Sequence, residues 1–266
     1  MSNPLNITDQ FNRKIILPHT PSRVVSLVPS VSFLLYLLGL ENEVAGITRF
    51  CKYPKHWKKE KTIVGGTKDP KIECIAGLKP ELIIANKEEN TKESVEKLEK
   101  IAPVYVSDVH DLKSNNAFIS DMGKIFHKEE KSNQIISQIE FLHQELIKNQ
   151  NKTYKSLYFI WREPWMSIGG DTFISYMMQL AGFDNVLKSE KRYPVVDLQK
   201  LQRLNPEVIL LSSEPFPFKE KHREELQKIF PNSQILLVKG EAFTWFGAYP
   251  LFAFPYLYQL QQKIQS

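Results

Sequence analysis

The sequence predicts an α/β protein built as two Rossmann-like lobes with parallel sheets, joined by one long rigid helix, and three observations carry that expectation. Short apolar runs alternate with helical patterns along most of the chain, which is the rhythm of parallel α/β architecture. One segment, residues 129–150, breaks that rhythm with a helical stripe that no proline or glycine interrupts. The elements on either side of it repeat: KIECIAGLKPELIIA (71–85) and DLQKLQRLNPEVILL (197–211) share a helix, a Leu-x-Pro-Glu turn and an apolar strand in one register. A shorter echo, LLGLENEV (37–44) and LAGFDNV (180–186), occurs in the same order.

Taken in chain order, RVVSLV (23–28) has the pattern of a buried strand, VSFLLYLLG (31–39) of a helix ended by Gly39, and VAGIT (44–48) of a second strand. A helix at KIECIAGL (71–78), a strand at ELIIA (81–85), a helix near 91–101 and a strand at PVYVS (103–107) continue the alternation. In the long segment, Ile135, Ile139, Leu142 and Leu146 fall on one helical face. At 1.5 Å per residue such a helix is roughly 30 Å long, enough to run across two lobes. Alternation restarts at SLYFIW (156–161), with a helical pattern opening at Asp171. The expected organisation is an N-terminal lobe (1–128), a connecting helix (129–150) and a C-terminal lobe (151–266).

With 266 residues, 42% hydrophobic and 24% charged, the chain has ordinary globular composition. Its net charge of +5 arises from 35 basic and 30 acidic residues interspersed throughout, so nucleic acid is not an expected partner. The sequence shows no membrane span, and MSNPLNITDQFNRK has no apolar signal-peptide core. As written, the chain is expected in the cytoplasm, or in the periplasm if a signal peptide precedes it. Cys51 and Cys74 are expected to be reduced thiols, with no cysteine placed for an N-terminal lipid anchor. The six histidines have no metal-ligand spacing, the isolated ones are most simply solvated surface groups, and no metal is expected. A P-loop, a GxGxxG after the first strand and a G-x-S-x-G elbow are all missing, and no catalytic residues are expected.

The segments ITDQFNRKIILPHTPSRVVSLVPSVSFLLYLLGL, ITRFCKYP and VGGTKDPKIECIAGLKPELIIA, in that order, resemble the substrate-binding proteins of iron-siderophore and cobalamin ABC transporters. The resemblance covers nearly the whole chain. It implies a monomeric, non-catalytic protein that holds a metal chelate in a cleft between its lobes: a corrinoid, a haem-like tetrapyrrole or a ferric siderophore, with no covalently bound cofactor. It also implies an ABC permease as partner.

On this resemblance, WREPWMSIGG (161–170) ends the first strand of the second lobe at the cleft. Trp161 and Trp165 then offer flat apolar faces to a macrocycle, and Arg162 offers a fork for a carboxylate or phosphate. Read instead as packing, one tryptophan caps the core and Arg162 pairs with Glu163. Phe50, Tyr53 and Thr67 are the ligand-binding residues implied in the first lobe, with Gly65 and Gly66 letting the backbone come close. Glu241, Phe243, Trp245 and Tyr249 in GEAFTWFGAYP (240–250) are those implied in the second, although Phe243 or Phe246 has to be core if that loop is to be held.

Two positions depart from the pattern. The resemblance implies a surface glutamate on each lobe, seven residues before the repeat's proline, that docks onto permease arginines. Glu73 stands at the first place and Gln199 at the second, which predicts weakened or asymmetric docking. Phe33 replaces the acid of the first helix. Two rival readings remain: a cytosolic chelate carrier or sensor with no permease, and a corrinoid- or nucleotide-modifying enzyme on the same scaffold.

Overall fold

The computed structural model describes residues 4–265. The chain forms two compact units, Met1–Ile139 with Phe246–Tyr249, and Glu140–Trp245 with Pro250–Ser266.

The first unit opens on an antiparallel hairpin of β1 (Leu5–Thr8) and β2 (Lys14–Leu17), with Leu5 opposite Leu17. There follow β3 (Val24–Ser26), α1 (Pro29–Leu37), β4 (Val44–Ile47), α2 (Trp57–Glu60), β5 (Thr62–Ile63), α3 (Ile72–Gly77), β6 (Leu82–Asn86), α4 (Lys92–Leu98), β7 (Val104–Ser107), α5 (Leu112–Ile125) and α6 (Glu129–Lys148). The strands form a parallel sheet in the order β5-β4-β3-β6-β7. Every residue of β3, β6 and β7 is buried, the expected state of parallel strands covered on both faces. Val25, Leu27, Ile83, Ala85 and Val104 pack with Ile75 of α3 and Leu98 of α4 into one core. Pro29 opens α1, where its missing N–H costs nothing. Asp111 caps α5 by accepting the Ser114 N–H at 2.7 Å.

Helix α6 is unbroken, with Ile135, Ile139 and Leu146 buried and the division between the units falling after Ile139. Its first turns lie tight against α5: a Cβ added at Gly123 would stand 2.8 Å from the Ser132 Cβ.

The second unit comprises β8 (Tyr154–Phe159), α7 (Phe173–Leu180), β9 (Phe183–Asn185), α8 (Leu198–Gln202), β10 (Val208–Ser212), α9 (Glu220–Ile229), β11 (Gln234–Val238), α10 (Glu241–Thr244) and α11 (Pro250–Gln265). Its parallel sheet has the order β11-β10-β8-β9. Leu157, Phe159, Ile209, Leu211 and Ile235 form its core with Leu226 of α9.

The sequence repeat has a structural cause. In the first copy the Glu81 N–H donates to the Arg23 carbonyl at 2.7 Å, and the Glu81 carboxylate accepts the Ser22 N–H at 2.6 Å. In the second the Glu207 N–H donates to the Lys155 carbonyl at 2.8 Å, and the Glu207 carboxylate accepts the Lys155 N–H at 2.9 Å. Each Pro-Glu turn therefore pins the start of the strand beside it, and each is preceded by a left-handed residue, Lys79 (φ 48°) or Asn205 (φ 49°). The shorter echo has a cause of the same kind: Gly39 (φ 79°) and Gly182 (φ 76°) end α1 and α7 in the left-handed conformation glycine adopts without strain.

Candidate functional site

In the first unit the chain leaving β4 carries two exposed aromatic rings, Phe50 (49% exposed) and Tyr53 (39%). The buried Cys51 between them anchors the loop, its thiol donating to the Tyr53 carbonyl at 3.5 Å, and burial pushes that thiol's titration up. Tyr53 packs 5.9 Å from Phe33, which in turn lies 6.0 Å from Tyr249. Phe33, read from sequence only as a lost acid, is thus the hub of an aromatic trio.

Tyr249 reaches that trio because residues 246–249 pack with the first unit. Phe246 stands 5.5 Å from Phe118, and the buried Asn115 side chain donates to the Gly247 carbonyl at 3.1 Å and accepts its N–H at 2.6 Å. The sequence reading had placed Tyr249 among the second lobe's residues.

Arg49 lies over Phe50, 5.0 Å from its ring centroid, and Nη2 donates to both oxygens of Asp69 at 2.9 Å. A Cβ at Gly66 would sit 2.8 Å from Arg49 Nη2 and also run into Asp69. Gly66 therefore makes room for this ion pair, where the sequence reading gave it to a ligand. Thr67 is buried, and its carbonyl accepts from Asn90 Nδ2 at 2.8 Å.

In the second unit the chain leaving β8 folds back on itself, the Ile160 N–H donating to the Met166 carbonyl and the Met166 N–H to the Trp161 carbonyl, both at 3.1 Å. This exposes Trp161 (40%), whose ring meets Phe216 edge-on at 5.8 Å. Trp165 turns inward, stacked on Phe218 at 5.8 Å and edge-on to Phe159 at 5.1 Å. Phe216 and Phe218 lie 4.8 Å apart and both touch the buried His222, whose desolvation lowers its pKa.

Arg162 is engaged within the unit. Nη2 donates to both oxygens of Glu225 on α9 at 3.0 Å, Nη1 pairs with Glu163, and the guanidinium lies 5.7 Å from the Trp165 ring centroid. The Glu225 hydrogen bonds, ahead of any other cause, raise its already high pKa. Arg162 thus makes the Glu163 pair that the packing alternative expected, with Glu225 as an additional partner.

In the third loop Phe243 is core, 5.1 Å from the buried Tyr158. Trp245 is 6% exposed, and its Nε1 donates to Glu214 at 3.1 Å. Glu241 is half-buried and accepts from the Ser213 hydroxyl at 3.4 Å. The segment SSEPFPFK (212–219), which the sequence reading passed over, supplies Glu214, Phe216 and Phe218; its alternation of proline and aromatic residues was the available signal.

Glu73 and Gln199 are both exposed, in the first turns of α3 and α8, at equivalent places in the two repeats. Among the described residues one group could ligate a metal: Glu41, His56 and Glu60, at the surface of the first unit. The Glu41 carboxylate is hydrogen-bonded by His56 and by Trp57 Nε1 (3.0 Å), which hold it below the usual carboxylate range. The reading of isolated histidines as solvated surface groups does not hold for His222 and half-buried His143, whose rings pack against aromatic neighbours.

The profile of the family described as periplasmic binding protein matches residues 24–232, and the chain belongs to that family. Over 219 residues it is 27% identical to the uncharacterized ABC transporter substrate-binding lipoprotein YvrC of Bacillus subtilis, covering 78% of this chain and 68% of that one. It is 25% identical over 194 residues to a vitamin B12-binding protein of Vibrio campbellii (71% and 70% covered). It is 27% identical over 216 residues to the Fe(3+)-citrate-binding protein YfmC of Bacillus subtilis (75% and 66%).

Among solved structures, the periplasmic vitamin B12-binding protein BtuF of Vibrio cholerae superposes with a TM-score of 0.77 at 20% identity, covering 94% of this chain and all of that one. The petrobactin-binding protein YclQ of Bacillus subtilis superposes at 0.79 and 19%, with 98% of each covered. The fold is that of the two-lobed periplasmic binding proteins. No described helix is long and apolar enough to cross a membrane. Relatives named as a lipoprotein and as periplasmic proteins give the cytoplasmic expectation no support.

Proposed function

We propose that this chain is a non-catalytic binding protein for a metal chelate, a corrinoid, haem-like tetrapyrrole or ferric siderophore, delivered to an ABC permease outside the cytoplasm. The observation that carries the reading is the exposure of Phe50, Tyr53 and Trp161 in the loops that leave β4 and β8, one strand of each parallel sheet, with Tyr53 packed on the buried Phe33 and Trp161 on Phe216. Flat aromatic rings presented from strand-end loops suit the face of a macrocycle. The relatives named for vitamin B12 and ferric citrate agree in class. In this reading Trp165, Arg162 and Phe33 support the exposed rings from behind, while Glu73 docks on the permease and Gln199 makes that docking asymmetric.

Titrating the purified protein with cyanocobalamin, haem and ferric siderophores, followed by tryptophan fluorescence, tests the proposal. Trp161→Ala and Tyr53→Ala are each expected to weaken binding by about 1–3 kcal/mol, the scale of losing one large aromatic contact. The urea midpoint should change little, because both rings are substantially exposed. Unchanged affinity in both variants would overturn the assignment.

A further inference from the structure

We propose that the second unit's aromatic face selects its ligand by charge: it takes a neutral or cationic part of the chelate and disfavours an anionic one, because Arg162 has been neutralised from within. This rests on the binding function above and adds the charge class of the ligand to it.

Capturing a carboxylate or phosphate requires a guanidinium with donors to spare. Arg162 is the only basic residue in WREPWMSIGG; its Nη2 is committed to Glu225 through two bonds of 3.0 Å and its Nη1 to Glu163, while its remaining unpartnered donor, the Nε–H, is buried away from the surface. One cation faces two carboxylates, so the positive charge of Arg162 is already matched within the unit. The pairing is also held in place. Glu225 precedes Leu226, which is fully buried in the core, and the guanidinium lies against Trp165, itself stacked on Phe218. An anion that took Arg162 would have to break the bidentate pair and would leave the Glu225 carboxylate beside it, a like-charge juxtaposition that works against wrong ligands.

The first unit uses the same device on its own exposed ring. Arg49 lies over Phe50 and gives both Nη2 bonds to Asp69. In each unit the arginine beside an aromatic ring orients that ring and is matched by a carboxylate of the same unit.

The test compares ferric citrate, an anion, with cyanocobalamin, which is neutral, and ferrioxamine B, a monocation, on the wild type, Glu225→Gln and Glu163→Gln. Wild type is expected to bind cyanocobalamin or ferrioxamine B more tightly than ferric citrate, with little change as salt is raised. Removing either carboxylate should raise ferric citrate affinity about three- to tenfold at low salt, a gain that fades as salt screens the freed guanidinium. A purely structural role for the pair would not produce that salt dependence. If Glu225→Gln fails to fold, Glu163→Gln decides, since the Glu163 side chain is 76% exposed and its loss removes no core. Tight, salt-sensitive ferric citrate binding by wild type, or no gain in the folded variants, overturns this inference and leaves the binding function standing. Binding of none of the three chelates, nor of haem, removes both.

Discussion

His222 shows what a single buried ring contributes and when it stops contributing. It sits 5.3 Å from Phe216 and 5.6 Å from Phe218, with Nδ1 accepting the Lys219 N–H at 2.9 Å, and desolvation favours its neutral form. Its folded pKa is below the usual histidine value of about 6.5, so the unfolded chain takes up its proton first on acidification. The stability it contributes is complete above about pH 6.5 and is lost as pH falls toward the folded value. His143, lowered by the same desolvation, adds a change of the same sign. Urea midpoints should therefore fall between pH 7.5 and pH 5.5, and the fall should shrink in His222→Gln. A midpoint independent of pH would contradict this. At this scale the sequence disclosed residue types and hid their partners. The sequence singled out Phe50, Tyr53 and Trp161 together with Trp165, Phe243 and Trp245, and only the first three are exposed, because residue type does not say which strand-end aromatic turns inward. The Arg162–Glu225 pair was not legible, because Glu225 lies 63 residues further along the chain.

Elements were legible where periodicity and punctuation coincide. The Leu-x-Pro-Glu turns could be found because each glutamate performs the same task, pinning a neighbouring strand through its backbone. Helix α6 could be found because Ile135, Ile139 and Leu146 form its buried stripe. The hairpin of β1 and β2 and helix α9 were not read, since four-residue strands give too little alternation and EKHREELQKI has only Leu226 and Ile229 to mark an apolar face. Nor did any pattern disclose how closely α5 and α6 meet. Gly123→Ala should force Ser132 and the first turns of α6 outward, at a cost of about 1–3 kcal/mol, the usual price of overpacking. The double variant with Ser132→Ala should recover part of that, because the Ser132 hydroxyl is one of the atoms struck. Equal urea midpoints for wild type and Gly123→Ala would show that the helices separate freely.

At the scale of the whole chain, the first unit is not continuous in sequence: it closes only when Phe246–Tyr249 join Met1–Ile139. The joint is the fully buried Asn115 amide, which both donates to and accepts from Gly247. Asn115→Ala would leave the Gly247 N–H and carbonyl unpaired, at a cost of about 1–3 kcal/mol for each group that water cannot reach. A fragment ending at residue 139 should therefore unfold at lower urea than the first unit does within the intact protein, as intrinsic fluorescence of Trp57 would report. On a ribosome this ordering becomes a delay: the piece that completes the first unit emerges roughly a hundred residues after Ile139, about 5–20 s later at ordinary elongation rates. Throughout that interval the nascent first unit waits with an unclosed seam. A premature stop codon between residues 140 and 245 would thus leave the first unit unfinished as well.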